Sequence, residues 1–199
     1  MRRLCLLALA IFLSSPFAAF AQGTDSTATA SGSAAIAAAA QFDFLLGRWE
    51  LVVHPKVGSL AAMIHGTPKL IGTLKAWRVP GSGGVEDEIS ITDGSGNPLS
   101  ANHSLRTYDS VQARWRISGH DVRKGRTSEA TGLWQDGEMR LEGYTTDADG
   151  KTLTRTRYYG ITADSFHMTQ DRSVDDGKSW EEGTLTIDAT RVAATATPG

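Results

Sequence analysis

Turn-forming pairs recur at short intervals along this chain, and no stretch long enough for a crossover helix separates them. Pro80-Gly81, Gly83-Gly84, Asp93-Gly94, Asp109-Ser110, Asp136-Gly137, residues 147–150 and Asp175-Asp176-Gly177 each interrupt a run in which apolar and polar residues alternate. Asp-Gly between alternating runs is a strong local signal for a two-residue hairpin, because glycine takes positive φ at no steric cost. The runs predict strands over residues 49–54, 72–79, 85–92, 101–108, 113–119, 127–134, 138–145, 152–159, 164–172 and 183–191. About ten strands joined by hairpins must close or sandwich to hide their edges, and up-and-down order with short turns favours closure. The expected fold is therefore all-β, a single antiparallel up-and-down β-barrel. Ser33 is placed to cap a short N-terminal helix over residues 34–40 that runs into Phe42-Asp43-Phe44. The longest irregular stretch, residues 55–70, would lie over a barrel mouth, either as a functional loop or as a plain surface loop.

The ends of the chain have a different character. Arg2 and Arg3 precede an apolar run from Leu4 to Leu13, and Ala19-Phe20-Ala21 forms a small-residue cleavage site. The run of 10 residues falls short of the about 20 that span a bilayer, so residues 1–21 read as a secretory signal peptide cleaved before Gln22. An uncleaved anchor is the other reading. Residues 22–34 are small and polar and form a flexible linker, the barrel domain occupies 35–191, and 192–199 is a disordered tail. The expected location is the periplasm or the exterior, with no transmembrane anchor after cleavage. The mature chain would lose its only Cys and two of its 20 basic residues while keeping all 22 acidic ones, moving the net charge from −2 to −4. A thiol-free chain suits an oxidising compartment, and the absent basic excess speaks against nucleic acid as a partner.

The segment Phe42-Asp43-Phe44-Leu45-Leu46-Gly47-Arg48-Trp49-Glu50 resembles the opening of a group of uncharacterised bacterial secreted domains of the calycin, lipocalin-like type. Their start is Phe-Asp-Phe, two residues, Gly, one residue, Trp. The Gly-x-Trp also resembles the lipocalin signature and that of nitrobindin-like barrels. The resemblance implies that Trp49 plugs the closed end of the barrel behind Gly47, and that an Arg near the last strand, here Arg191, packs over it. The later glycines of the nitrobindin-type start are missing, so no haem is expected by that analogy. A second segment, Ser173-Val174-Asp175-Asp176-Gly177-Lys178-Ser179-Trp180, resembles the Asp-box hairpin of sialidases and other β-proteins. There Ser173 and Asp175 would hold backbone groups, Gly177 would supply positive φ and Trp180 would pack under the loop. In those families the box lies away from catalytic centres.

No catalytic motif stands out. The histidines at 54, 65, 103, 120 and 167 make no metal-ligand spacing, so no zinc is expected; one axial ligand would suffice for haem, with His167 the candidate, but no cofactor is expected. His167, mid-strand, points either into the barrel or to solvent. There is no Gly-x-Ser-x-Gly elbow. Glu86 and Glu88 share one strand face, with Asp87 on the other. Leu153, Arg155, Arg157 and Tyr159 share a face, and Trp77, Trp115 and Trp134 lie on strands. Pointing inward, such residues would make a mixed polar and aromatic pocket; pointing outward, the arginines are simply solvated. The candidate ligand-binding residues are Trp77, Glu88, Tyr108, Trp115, Arg157 and His167. Three functions follow: non-catalytic binding of a small amphipathic or anionic molecule, a structural module of the envelope with a filled barrel, or a barrel enzyme using Glu88 with Arg157.

Overall fold

The structure, a computed structural model, describes residues 38–59, 63, 66, 68 and 70–193. The expected signal peptide, linker, first part of the N-terminal helix, His65 and most of the tail lie outside the described residues.

Ten strands follow one another: β1 (Gly47–Pro55), β2 (Leu70–Arg78), β3 (Val85–Thr92), β4 (Pro98–Asp109), β5 (Arg114–Asp121), β6 (Arg126–Gln135), β7 (Glu138–Asp147), β8 (Gly150–Tyr159), β9 (Ser165–Ser173) and β10 (Glu181–Arg191). Each pairs antiparallel with its sequence neighbour, and β1 also pairs with β10, so the sheet closes on itself. This is a lipocalin-like, ten-stranded up-and-down barrel. Closure leaves no edge strand to template aggregation. The helical signal near the N-terminus resolves into residues 38–39 and a 3-10 turn at Asp43–Leu45.

Period-two alternation sets which side chains enter the barrel. In β1, Trp49, Leu51 and Val53 are buried while Arg48, Glu50, Val52 and His54 are exposed. In β2 the inward set is Gly72, Leu74 and Ala76, and in β10 it is Ile187 and Ala189. A Trp49–Arg191 pair in the β1–β10 register joins the two ends of the domain. The odd-numbered turns after β1, β3, β5, β7 and β9 all fall at one end. The N-terminal turn and the remaining hairpins fall at the other.

Candidate functional site

The barrel interior is divided lengthwise into a filled half and an open half. At the N-terminal end the filling is aromatic. Phe42 meets Trp115 edge-on with centroids 4.8 Å apart, and Trp49 meets Phe166 likewise at 4.8 Å. Trp49 Nε1 donates to the Leu45 carbonyl at 2.8 Å, and Trp115 Nε1 to Gln41 Oε1 at 3.1 Å, so both indoles are satisfied in the dry plug. The Arg191 guanidinium lies 4.1 Å from the Trp49 ring centroid and donates to the carbonyls of Leu46, Phe44 and Ala163. Gly47 has φ +105°, and a Cβ there would come within 2.9 Å of Arg191 Nη1. The chain must therefore pass close under the arginine at a position only glycine takes easily.

Above the plug lies a cavity of about 330 Å³. Its wall has two characters. The arc formed by β9, β10, β1, β2 and β3 presents Met168, Leu185, Ile187, Val53, Leu70, Ile89 and Ile91. The arc from β4 to β8, with Gln170 of β9, presents Ser100, Asn102, Ser104, Ser128, Thr145, Thr154 and Thr156, interrupted by Ile117, Ala130 and Leu141. Some of these polar groups bond one another: Asn102 Nδ2 donates to Ser104 Oγ at 2.7 Å, and Gln170 Nε2 to Thr156 Oγ1 at 3.1 Å.

The floor, where cavity meets plug, holds a buried ion pair. Arg106 is 3% exposed and Asp87 is fully buried, and Arg106 Nη1 donates to Asp87 Oδ2. The guanidinium carbon lies 5.2 Å from the Phe42 ring centroid, so the plug supports it from below. Burial works against the charge on Arg106, but the Asp87 carboxylate, with the Tyr158 hydroxyl beside it, more than offsets this and raises its pKa above the ordinary value. Burial likewise pushes the Tyr158 phenol up, which keeps it neutral. Arg106 Nε and Asp87 Oδ1 have no hydrogen-bond partner among the described residues.

At the mouth, Asp121 accepts from Ser100 Oγ at 2.6 Å and from the backbone N–H groups of Ala101, Arg123 and Lys124. Burial alone would raise its pKa; these bonds outweigh burial and lower it. Its oxygens are thus committed to anchoring the β5–β6 turn. Arg126 Nε is bound to Asp147 Oδ2 at 3.1 Å, while Lys124 lines the mouth without an ion pair among the described residues.

Four of the six candidate pocket residues are on the outer surface, and this corrects the inward reading. Trp77 lies on the outer face of β2, where its Nε1 donates to Glu86 at 2.9 Å. Glu88 is exposed on β3. Arg157 makes a bidentate pair with Glu138 at 3.1 and 2.8 Å, outside β8. His167 Nδ1 lies 2.6 Å from Asp188 Oδ1, also outside. The reason is strand parity: the inward row of β8 is Thr154, Thr156 and Tyr158, so the row of Arg155, Arg157 and Tyr159 keeps its charges in water, where they cost little. Glu88 and Arg157 face no common pocket. Tyr108 and Trp115 do point inward, but they pack on each other at 5.6 Å within the plug and do not line the cavity.

The residues of the cavity and its floor escaped the sequence reading, which placed Asp87 opposite Glu86 and Glu88 but gave it no role. In β3, Asp87 stands in the row Val85, Asp87, Ile89, Ile91, and a carboxylate in an otherwise apolar row marks an inward charge that needs a partner. Its partner Arg106 follows Ser100, Asn102 and Ser104 in its row of β4, where alternation carries no apolar signal.

The Asp-box hairpin stands at the mouth. Asp175 Oδ1 accepts from Ser173 Oγ at 2.7 Å and from the Ser179 N–H at 2.9 Å, and Oδ2 accepts from Ser179 Oγ at 2.6 Å. Gly177, at φ +84°, donates its N–H to Ser173 Oγ at 2.9 Å over the Trp180 ring. Outside the barrel, Arg155 stacks 3.8 Å from that ring's centroid.

No protein-family model matches the chain, and no curated protein matches it. Among solved structures, it is similar to the S-type phycobiliprotein lyase CPES from Guillardia theta, with a TM-score of 0.53 at 11% identity over 77% of this chain and 92% of that one. A de novo designed fluorescence-activating β-barrel gives a TM-score of 0.35 at 11% identity, over 75% of this chain and 95% of the other. At this identity the likeness to the lyase shows the barrel fold.

Proposed function

We propose that this barrel binds a small amphipathic molecule in its open half. The observation that carries the reading is the two-sided wall of the 330 Å³ cavity, aliphatic along β9 to β3 and hydroxyl-lined along β4 to β8. An apolar body gains by leaving water against the first arc, at about 25 cal/mol per Å² buried. Polar groups of the ligand replace lost water bonds on the second. A wholly filled barrel, the structural alternative, is disfavoured by the same cavity. Its size is at the lower end for ligand pockets, which run about 300–1,000 Å³, so a compact ligand or a single short chain fits best. We also propose, from Arg2, Arg3, the apolar run and Ala19-Phe20-Ala21, that the chain is exported and starts at Gln22 when mature.

The test is titration with the neutral fluorophore N-phenyl-1-naphthylamine. Saturable binding at one site per chain is expected. Ile91→Trp, which fills the cavity from its aliphatic wall, should abolish it while far-UV circular dichroism stays unchanged. No binding to the wild-type chain, or equal binding to Ile91→Trp, would overturn the reading.

A further inference from the structure

We propose that the cavity floor selects a ligand whose inner end is an uncharged hydrogen-bond acceptor, an amide or ketone carbonyl rather than a carboxylate. This rests on the reading that the open half binds a small amphipathic molecule.

Arg106 is the cation at the floor, and a lone buried arginine would draw a carboxylate. It is not alone: Asp87, fully buried, is bound to its Nη1. The pair is neutral as a unit. A carboxylate seated there would make two anions around one cation on a floor closed below by Phe42 and beside by Tyr158. Burying that net charge away from water is costly. A carbonyl adds no charge and still accepts from the guanidinium, whose donors Asp87 does not exhaust. Arg106 itself lines the cavity, and at the floor its Nε and Asp87 Oδ1 are both buried with no partner among the described residues. The Tyr158 hydroxyl, kept neutral by burial, is a second donor beside it. The apolar remainder of the ligand then runs up the barrel along Ile89, Ile91 and Ile187.

The test is displacement of N-phenyl-1-naphthylamine from the full chain by octanamide and by octanoate near neutral pH, two probes with one carbon skeleton. The wild-type chain should release the fluorophore at an octanamide concentration about tenfold or more below that of octanoate. In Asp87→Asn the floor keeps its shape but becomes cationic, and the order should reverse in favour of octanoate. A merely apolar cavity would also prefer the amide, so the reversal is the decisive reading. Should Asp87→Asn fail to fold, Asp87→Leu with Arg106→Met replaces the pair by apolar groups of similar volume. That variant should still bind the fluorophore but lose about tenfold in octanamide affinity. Fluorophore binding with octanoate equal to octanamide in the wild type, with no reversal in Asp87→Asn, or with undiminished octanamide affinity in the double variant, would overturn this proposal and leave the cavity reading standing. No fluorophore binding at all would overturn both.

Discussion

Asp175 shows how much one side chain does at the mouth. The Ser179 hydroxyl is the largest influence on its carboxylate; with the Ser179 N–H and Ser173 Oγ it lowers the pKa from 3.8 to about 2. All of these bonds are made to the charged form, so protonation breaks the knot. A folded pKa below the unfolded one means that the contribution to stability is complete above about pH 4 and is lost as the pH falls toward 2. We expect the Asp175 carboxyl resonance to titrate near pH 2 by NMR, and Ser179→Ala to move its midpoint up toward 3.8. A midpoint unmoved by Ser179→Ala would show that the serine does not hold the turn. Trp49 acts at the other end. Its ring is 1% exposed, clamped between Arg191 and Phe166, and satisfied through Leu45. Removing so large a buried aromatic costs about 3–5 kcal/mol. Trp49→Ala should lower the denaturant midpoint accordingly.

Among the elements, β6 and β7 approach each other closely at two glycines. A Cβ at Gly143 of β7 would fall inside van der Waals contact of the Glu129 carbonyl oxygen and 2.6 Å from Ala130 Cα. One at Gly132 of β6 would meet Leu141 Cδ2 at 2.5 Å. The neighbour at Gly143 is backbone of the paired strand, which cannot rotate aside. Gly143→Ala should therefore destabilise by about 1–3 kcal/mol, as overpacking does. Gly58→Ala, which would meet nothing within 4 Å, is the matched control and should leave the denaturant midpoint unchanged. Equal midpoints for the two variants would show that β6 and β7 can part without loss. The hairpin joining them reads as a type I′ turn from its backbone: Asp136 and Gly137 both have positive φ, at 53° and 79°. Beside the mouth, β10 bulges between Glu181 and Leu185, and the Gly183 N–H released there is taken by Asp171 Oδ1 at 2.8 Å.

At the scale of the molecule, the barrel divides its labour between an aromatic half that fills its interior and an open half walled by aliphatic and hydroxyl side chains. The tryptophans respect this division: Trp49 and Trp115 belong to the plug, and no tryptophan lines the cavity. Binding of a non-absorbing ligand such as octanamide should therefore leave the wavelength of maximum tryptophan emission unchanged. Both inward indoles are at most 1% exposed already and have no water left to lose. A blue shift on binding would place the ligand against an outer tryptophan such as Trp77 or Trp180, and outside the barrel.

The order of strands was legible in the sequence because it is local. Turn pairs such as Asp136-Gly137 and alternation such as Trp49, Leu51, Val53 are decided within a few residues, and hairpin order with short turns favours closure. The match of Gly47 and Trp49 with Arg191 was legible through a short motif with one physical role. The ligand-facing surface was not. Which row of β8 turns inward, that of Thr156 or that of Arg157, depends on the register with β7 and β9, and both rows alternate equally well along the chain. The floor is less legible still: Asp87 and Arg106 lie 19 residues apart on neighbouring strands, and neither marks the other until the sheet pairs. Local backbone chemistry determined the barrel. Only the closed barrel decided which charges were buried together, because burying a charge is tolerable only beside a partner that tertiary structure supplies.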